Sequence, residues 1–159
     1  GNFLPDATGN AFVEGFNIKA TNDVFKGPVL ILNDSGAECG VHGFFLVPQN
    51  YVGTAVIKPF WTASVTTGNV VLEFSYRAIG GDDTESMDQT TFQESALTVT
   101  DAAPSAAFER NVPSIALTSA NIAAGDTVEF YFYRDGLSGA DTMAAAAIVF
   151  AVIFEYADA

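Results

Sequence analysis

Between residues 127 and 135 the chain alternates, with Val128, Phe130 and Phe132 on one parity and Glu129, Tyr131, Tyr133 and Asp135 on the other. A period of two is the mark of a strand with one dry face, so this stretch predicts a half-buried β-strand with its second set facing water. The run from Met143 to Tyr156 is apolar on both parities, Ile148, Phe150, Val152 and Phe154 on one and Val149, Ala151 and Ile153 on the other. A strand of that kind needs cover on both faces: its own domain supplies one, and another sheet or another subunit supplies the second. Val149, Ala151 and Ile153 are therefore the candidate subunit-interface residues.

The rest of the chain repeats the same theme. Residues 1–10 are polar and turn-rich, and read as an arm. Strands are expected over residues 11–20, 29–32, 41–47, 54–64, 70–79, 95–100 and 112–117, separated by turn clusters such as Asn33-Asp34-Ser35-Gly36 and Thr66-Thr67-Gly68-Asn69. Pro59 lies inside the strand over 54–64, which points to an edge strand or a bulge. The clearest alternation is over 70–79, where Val70, Leu72, Phe74 and Tyr76 should face the core and Glu73, Ser75 and Arg77 the solvent. Residues 80–93 read as an acidic loop with a helical turn near its end. Ala144 to Ala147 favour helix by propensity, but the β-branched and aromatic residues that follow favour strand. About nine short strands at intervals of roughly ten residues predict an all-β chain, a single antiparallel sandwich of the jelly-roll kind over residues 1–159.

Charge narrows the partners. Nineteen acidic residues against six basic ones leave a net charge of -13 among 159 residues, and such a surface repels phosphate backbones and anionic lipid. Nucleic acid and membranes are excluded as expected partners; the plain use of the charge is solubility at high local concentration. Cys39 is the one cysteine, so no intramolecular disulfide can form, and its default role is a small buried hydrophobe. Residues 1–20 lack the basic start and apolar run of a secretory signal. The longest apolar run, residues 143–154, is 12 long, short of the ~20 that a spanning helix needs.

No set of residues reads as a catalytic, cofactor or metal site. His42 is the single histidine, and although Cys39-Gly40-Val41-His42 has a ligand-like look, positions three apart in a strand point to opposite faces, with no second Cys or His to complete a centre. The loop over residues 82–88 gathers Asp82, Asp83, Glu85 and Asp88, but its spacing does not match a twelve-residue calcium loop, so it reads as a solvated acidic loop. Tyr131, Tyr133 and Trp61 could stack on sugar rings; because they fall in strands and not in loops, core or interface roles are the stronger expectation. Asn33-Asp34-Ser35 matches a glycosylation sequon.

Several segments taken together resemble a known family. Phe45-Leu46-Val47-Pro48-Gln49-Asn50-Tyr51, Phe60-Trp61-Thr62-Ala63, Thr67-Gly68-Asn69-Val70-Val71, Leu97-Thr98-Val99-Thr100-Asp101, and Phe132-Tyr133-Arg134-Asp135 with Gly139-Ala140-Asp141-Thr142-Met143 are similar, in this order, to the small jelly-roll virion proteins of tailed bacteriophages. The resemblance runs from about Cys39 to Tyr156. It implies a non-enzymatic virion protein, assembled in the host cytoplasm as a homotrimer, without cofactor. Such a protein would decorate the capsid by bridging major capsid subunits; the alternative it implies is a tail-fibre or carbohydrate-binding module that recognises a host surface glycan.

Overall fold

The computed structural model describes residues 4–5, 12–16, 27–80, 85–88 and 90–159. All of the expected arm except residues 4–5, both ends of the strand expected over 11–20, and residues 81–84 and 89 of the acidic loop lie outside the described residues. The strands are β1 (Leu4–Pro5), β2 (Phe12–Phe16), β3 (Gly27–Leu32), β4 (Glu38–Leu46), β5 (Tyr51–Thr62), β6 (Asn69–Ile79), β7 (Glu94–Ala102), β8 (Ile115–Ala116), β9 (Thr127–Asp135) and β10 (Ala147–Asp158). They form two antiparallel sheets, ordered β1-β4-β9-β6-β7 and β2-β3-β10-β5-β8.

From β3 to β6 each strand enters the sheet opposite to the one before it, which is the wrapped path of a jelly roll. The alternation seen in the sequence is what closes the sandwich. Val128, Phe130 and Phe132 of β9 and Val70, Leu72, Phe74 and Tyr76 of β6 turn inward and are buried, together with Trp61 and Ile57 of β5. Cys39 also faces this core and is fully buried, with the Asn33 amide directed at its sulfur at 3.2 Å.

Pro59 is accommodated on the outer side of β5. Trp61 exchanges backbone hydrogen bonds with Asn111 and the Ala55 carbonyl accepts from the Leu117 amide, so the imino nitrogen of Pro59, on the same parity, faces the two-residue β8. The nearest pair there is Ile57 with Ile115, and no ladder bond is needed between that pair and Asn111. The strand expected over 112–117 is accordingly only Ile115–Ala116, because neither Pro59 nor Pro113 has an N–H to donate to a ladder between Ile115 and Asn111. The helical turn expected near residue 93 is not found among the described residues; a short 3-10 turn sits instead at Ser119–Asn121.

The last strand departs from a simple two-face reading. Opposite β5 the register slips between Val149, paired with Trp61, and Ala151, paired with Phe60. The extra residue, Phe150, is a β-bulge, and a bulge reverses which parity faces the core. Val149 is therefore 3% exposed in the main core, while Val152 and Phe154 pack against that core from beyond the bulge. The expectation that Val149, Ala151 and Ile153 share one face is corrected: Val149 is internal, Ala151 is half-buried and Ile153 is exposed. The second layer over the early part of β10 comes from this chain itself, since Ile148 joins Val29 and Ile31 beneath Phe108 and Ala146.

Loop 136–146 is fastened by a buried ion pair. Arg134, on β9, is fully buried and its guanidinium donates to Asp141 twice, at 2.6 and 2.9 Å, and to the carbonyls of Met143 and Ala145. Asp141 in turn accepts the Val71 amide of β6. A buried guanidinium is stable only when its donors are matched in this way.

Candidate functional site

The outer face of the first sheet holds the most developed arrangement of polar and aromatic groups. On β9, the residues between the core positions are Tyr131 and Tyr133. Register sets their neighbours: His42 of β4 and Ser75 of β6 lie beside Tyr131, and Gly40 and Glu73 beside Tyr133. The His42 and Tyr131 rings are stacked at 4.3 Å with 12° between planes, and Tyr131 and Tyr133 at 4.4 Å and 17°. Three rings thus stand side by side as a column. Packed face to face, the tyrosines are only 7% and 6% exposed, which corrects the expectation that this parity of β9 is wet.

Polar groups fix the column. The Tyr133 hydroxyl donates to Glu73 Oε2, and Thr98 Oγ1 of β7 lies 2.8 Å from the other oxygen of that carboxylate. Burial, then the bond to Glu73, then the charges of Glu73 and Glu38 push the Tyr133 hydroxyl above its ordinary range, so it stays a proton donor at any physiological pH. Gly40 is required where it is: a Cβ there would collide with the Cβ of Tyr133 and the Phe132 carbonyl.

A bulge in β7 shapes the other wall. Phe74 pairs with Leu97 and Tyr76 with Glu94, leaving both Ser95 and Ala96 opposite Ser75. Ala96 adopts a left-handed φ of 55°, a conformation that costs a residue with a side chain about 1–2 kcal/mol. Its amide donates to Ser75 Oγ at 3.0 Å, and its carbonyl lies 2.9 Å from Thr98 Oγ1. Between this bulge, the ring column, Glu38 and the half-exposed Phe92 lies an open hollow of about 450 Å³. Backbone strain held in place beside a concavity is a common attribute of binding sites.

A second hollow of about 310 Å³ opens between the sheets and is lined by side chains such as Phe45, Phe130, Val152 and Phe154. Its lining side chains are apolar apart from the Tyr156 hydroxyl, so it has few side-chain groups with which to orient a polar ligand.

The sequence-derived candidates are thus redistributed. Trp61 is fully buried, with its indole N–H donated to Asp101 at 2.8 Å, so it cannot stack on a ligand. Cys39 and His42 do point to opposite faces, as expected, but His42 joins the tyrosines, a grouping that only strand pairing creates. Glu85 pairs with Arg77 at 3.3 Å, and among the described residues no three Asp, Glu, His or Cys side chains gather as metal ligands would. Serine, histidine and carboxylate are present in the hollow, and what they offer is hydrogen bonding beside aromatic surface.

No protein-family model matches the sequence, and no curated protein matches it. Solved structures do. The chain is similar to the CBM22-1 xylan-binding domain from Paenibacillus barcinonensis Xyn10C, at 11% identity and a TM-score of 0.52 over 99% of this chain and 86% of that one. It is similar to CBM35 from Paenibacillus barcinonensis, at 12% identity and a TM-score of 0.50 over 99% and 100%. A third similarity is to the enzymatically active domain of bacteriophage CBA120 tailspike protein 4, at 15% identity and a TM-score of 0.52, over 98% of this chain and 19% of that one. What they share is the fold. The chain is a jelly-roll β-sandwich of the kind found in carbohydrate-binding modules and in a phage tailspike.

Proposed function

We propose that this chain is a carbohydrate-binding module that holds a host-surface glycan on the outer face of the first sheet, and that it binds without turnover. The observation that carries the reading is the hollow itself, where aromatic edges from Tyr131, Tyr133 and Phe92 meet the polar groups of His42, Ser75 and Glu38 on a rigid sheet. Sugars present apolar ring faces and a rim of hydroxyls, and sites that fit them combine aromatic surface with a few fixed polar groups. The similar folds lend support, since two are carbohydrate-binding modules by name and one belongs to a phage tailspike. On this reading the chain is a tail-fibre type virion protein, with neither nucleic acid nor membrane as partner and with no cofactor.

The test is a titration of the purified chain against an array of plant and bacterial surface polysaccharides, followed by Tyr131→Ala and His42→Ala on the best ligand. Saturable binding that both substitutions weaken by tenfold or more supports the reading. Absence of saturable binding across the array overturns it.

Capsid decoration is the second reading, and one observation favours it. Phe150 and Ile153, 39% and 43% exposed on the second sheet, together with Phe60, form an apolar stripe suited to a homotrimer or to the major capsid protein. Copy number in purified virions separates the two: about one per capsid subunit indicates decoration, and a few per particle indicate a tail position.

A further inference from the structure

On the glycan reading, on which this inference rests, a sugar ring must find aromatic surface in the hollow, and the tyrosines have little to give. Tyr131 is stacked against both His42 and Tyr133, at 4.3 and 4.4 Å with 12° and 17° between planes, and both tyrosines are buried. What they leave to a ligand is their rims. Aromatic rims carry the positive side of the ring quadrupole and aromatic faces the negative side. The hydrogens on the flat side of a pyranose are weakly positive, so they suit a face and gain little from a rim. Phe92 is different. It lines the hollow from the loop before β7 and is 48% exposed. The next residue fixes its place: the Gln93 amide donates to the Tyr76 carbonyl at 2.8 Å, and the Gln93 side chain accepts from the Ala78 amide and donates to the Asn121 carbonyl. A large apolar ring left open to water on so firmly held a loop is pre-placed for a ligand.

We infer that Phe92 is the stacking platform of the site: one pyranose ring of the polysaccharide lies flat against the Phe92 ring, and the column of His42, Tyr131 and Tyr133 is the wall that sets where that sugar sits. The ligand is then recognised through the C–H face of a ring sugar. Phe92 has no polar atom in its side chain, so its contribution is contact area and the attraction of its face for those hydrogens, and both are lost when the ring is removed. A leucine in its place restores part of the area and none of the face.

The experiment sets Phe92→Ala, Phe92→Leu and Phe92→Trp of the full chain against the same array of plant and bacterial surface polysaccharides, with thermal unfolding as the control. Phe92→Ala should weaken each polysaccharide that the unaltered chain binds by about tenfold or more, Phe92→Leu by nearly as much, and Phe92→Trp by about twofold or less. All three should unfold with the unaltered chain, because the side chain is largely exposed. Trp61 is the one tryptophan of the chain and is fully buried, so the indole introduced by Phe92→Trp reports separately: its emission should move to the blue as saturating polysaccharide covers it. The platform is overturned if Phe92→Ala binds as the unaltered chain does, if Phe92→Leu matches it, or if the indole emission stays where it was. A lowered unfolding temperature in Phe92→Ala would likewise overturn it, by giving the ring a structural role. In each of these cases the glycan reading survives when His42→Ala and Tyr131→Ala still weaken binding. Absence of saturable binding across the array removes both.

Discussion

Arg134 and Asp141 form a two-point ion pair wholly inside the protein, their side chains 0% and 2% exposed. The pair joins β9 to loop 136–146, and through the Val71 amide it also holds β6. Removing Asp141 leaves the buried guanidinium without its two-point partner, with only the more distant Asp34, at 3.7 Å, beside it. Asp141→Ala should therefore cost about 3–5 kcal/mol, read as a lower denaturation midpoint in urea, and an effect below 1 kcal/mol would contradict the structure. Paired replacement of Arg134 and Asp141 by apolar residues should cost less than Asp141→Ala alone, because no charge is left unmatched.

The bulge at Phe150 makes opposite forecasts for two residues that the sequence places together. Val149→Ala opens a cavity in the core and should destabilise by about 2 kcal/mol. Ile153→Asp lies on exposed surface and should leave stability within about 0.5 kcal/mol. Light scattering on Ile153→Asp then tests assembly without the confusion of unfolding. If the chain is a trimer and remains one, the outer face of β10 is not its interface.

Two backbone positions build the hollow. Relieving the left-handed strain at Ala96 with Ala96→Gly should stabilise by up to about 1 kcal/mol. Gly40→Ala should do the reverse, by about 1–3 kcal/mol from overpacking against Tyr133, and should weaken ligand binding as that ring is displaced. Thermal unfolding of both variants measures the pair; equal changes in the same direction would refute this account of the wall.

Acid and alkali should each unfold the protein through identifiable groups. Burial raises the Glu94 carboxyl, but hydrogen bonds from Tyr76 and from Thr118 outweigh it and leave the group below its ordinary 4.5. A depressed folded value means stability that is present above 4.5 and lost as pH falls through the lower folded value. Glu94→Gln should flatten the acid side of the stability profile. Tyr76 and Tyr133 are raised above the ordinary 10.0, in each case by burial first and then by a carboxylate neighbour. The unfolded chain then ionises first, so stability should fall as pH climbs past 10. Ultraviolet titration of the native protein should show fewer than five tyrosines ionising with normal midpoints; normal ionisation of all of them would be the contrary result.

The local alternation was enough to predict nearly every strand. Val128, Phe130 and Phe132, and likewise Val70 to Tyr76, declare a period of two within a few residues, and burying such a set needs a sandwich. Cys39 as a buried hydrophobe and the tolerance for Pro59 at a strand's unpaired side also follow from single-residue chemistry. Tertiary structure decided the rest, because it depends on register between distant segments. His42 lies 89 positions before Tyr131, and nothing in either neighbourhood announces that their rings will stack. The parity that should have been wet on β9 is dry because identical alternation cannot say whether neighbouring side chains will pack on one another. Val149 left the face of Ile153 because one added residue, Phe150, is invisible to a pattern that counts by twos until the partner strand fixes where the slip occurs. The strands were local facts, while the hollow is a property of their pairing.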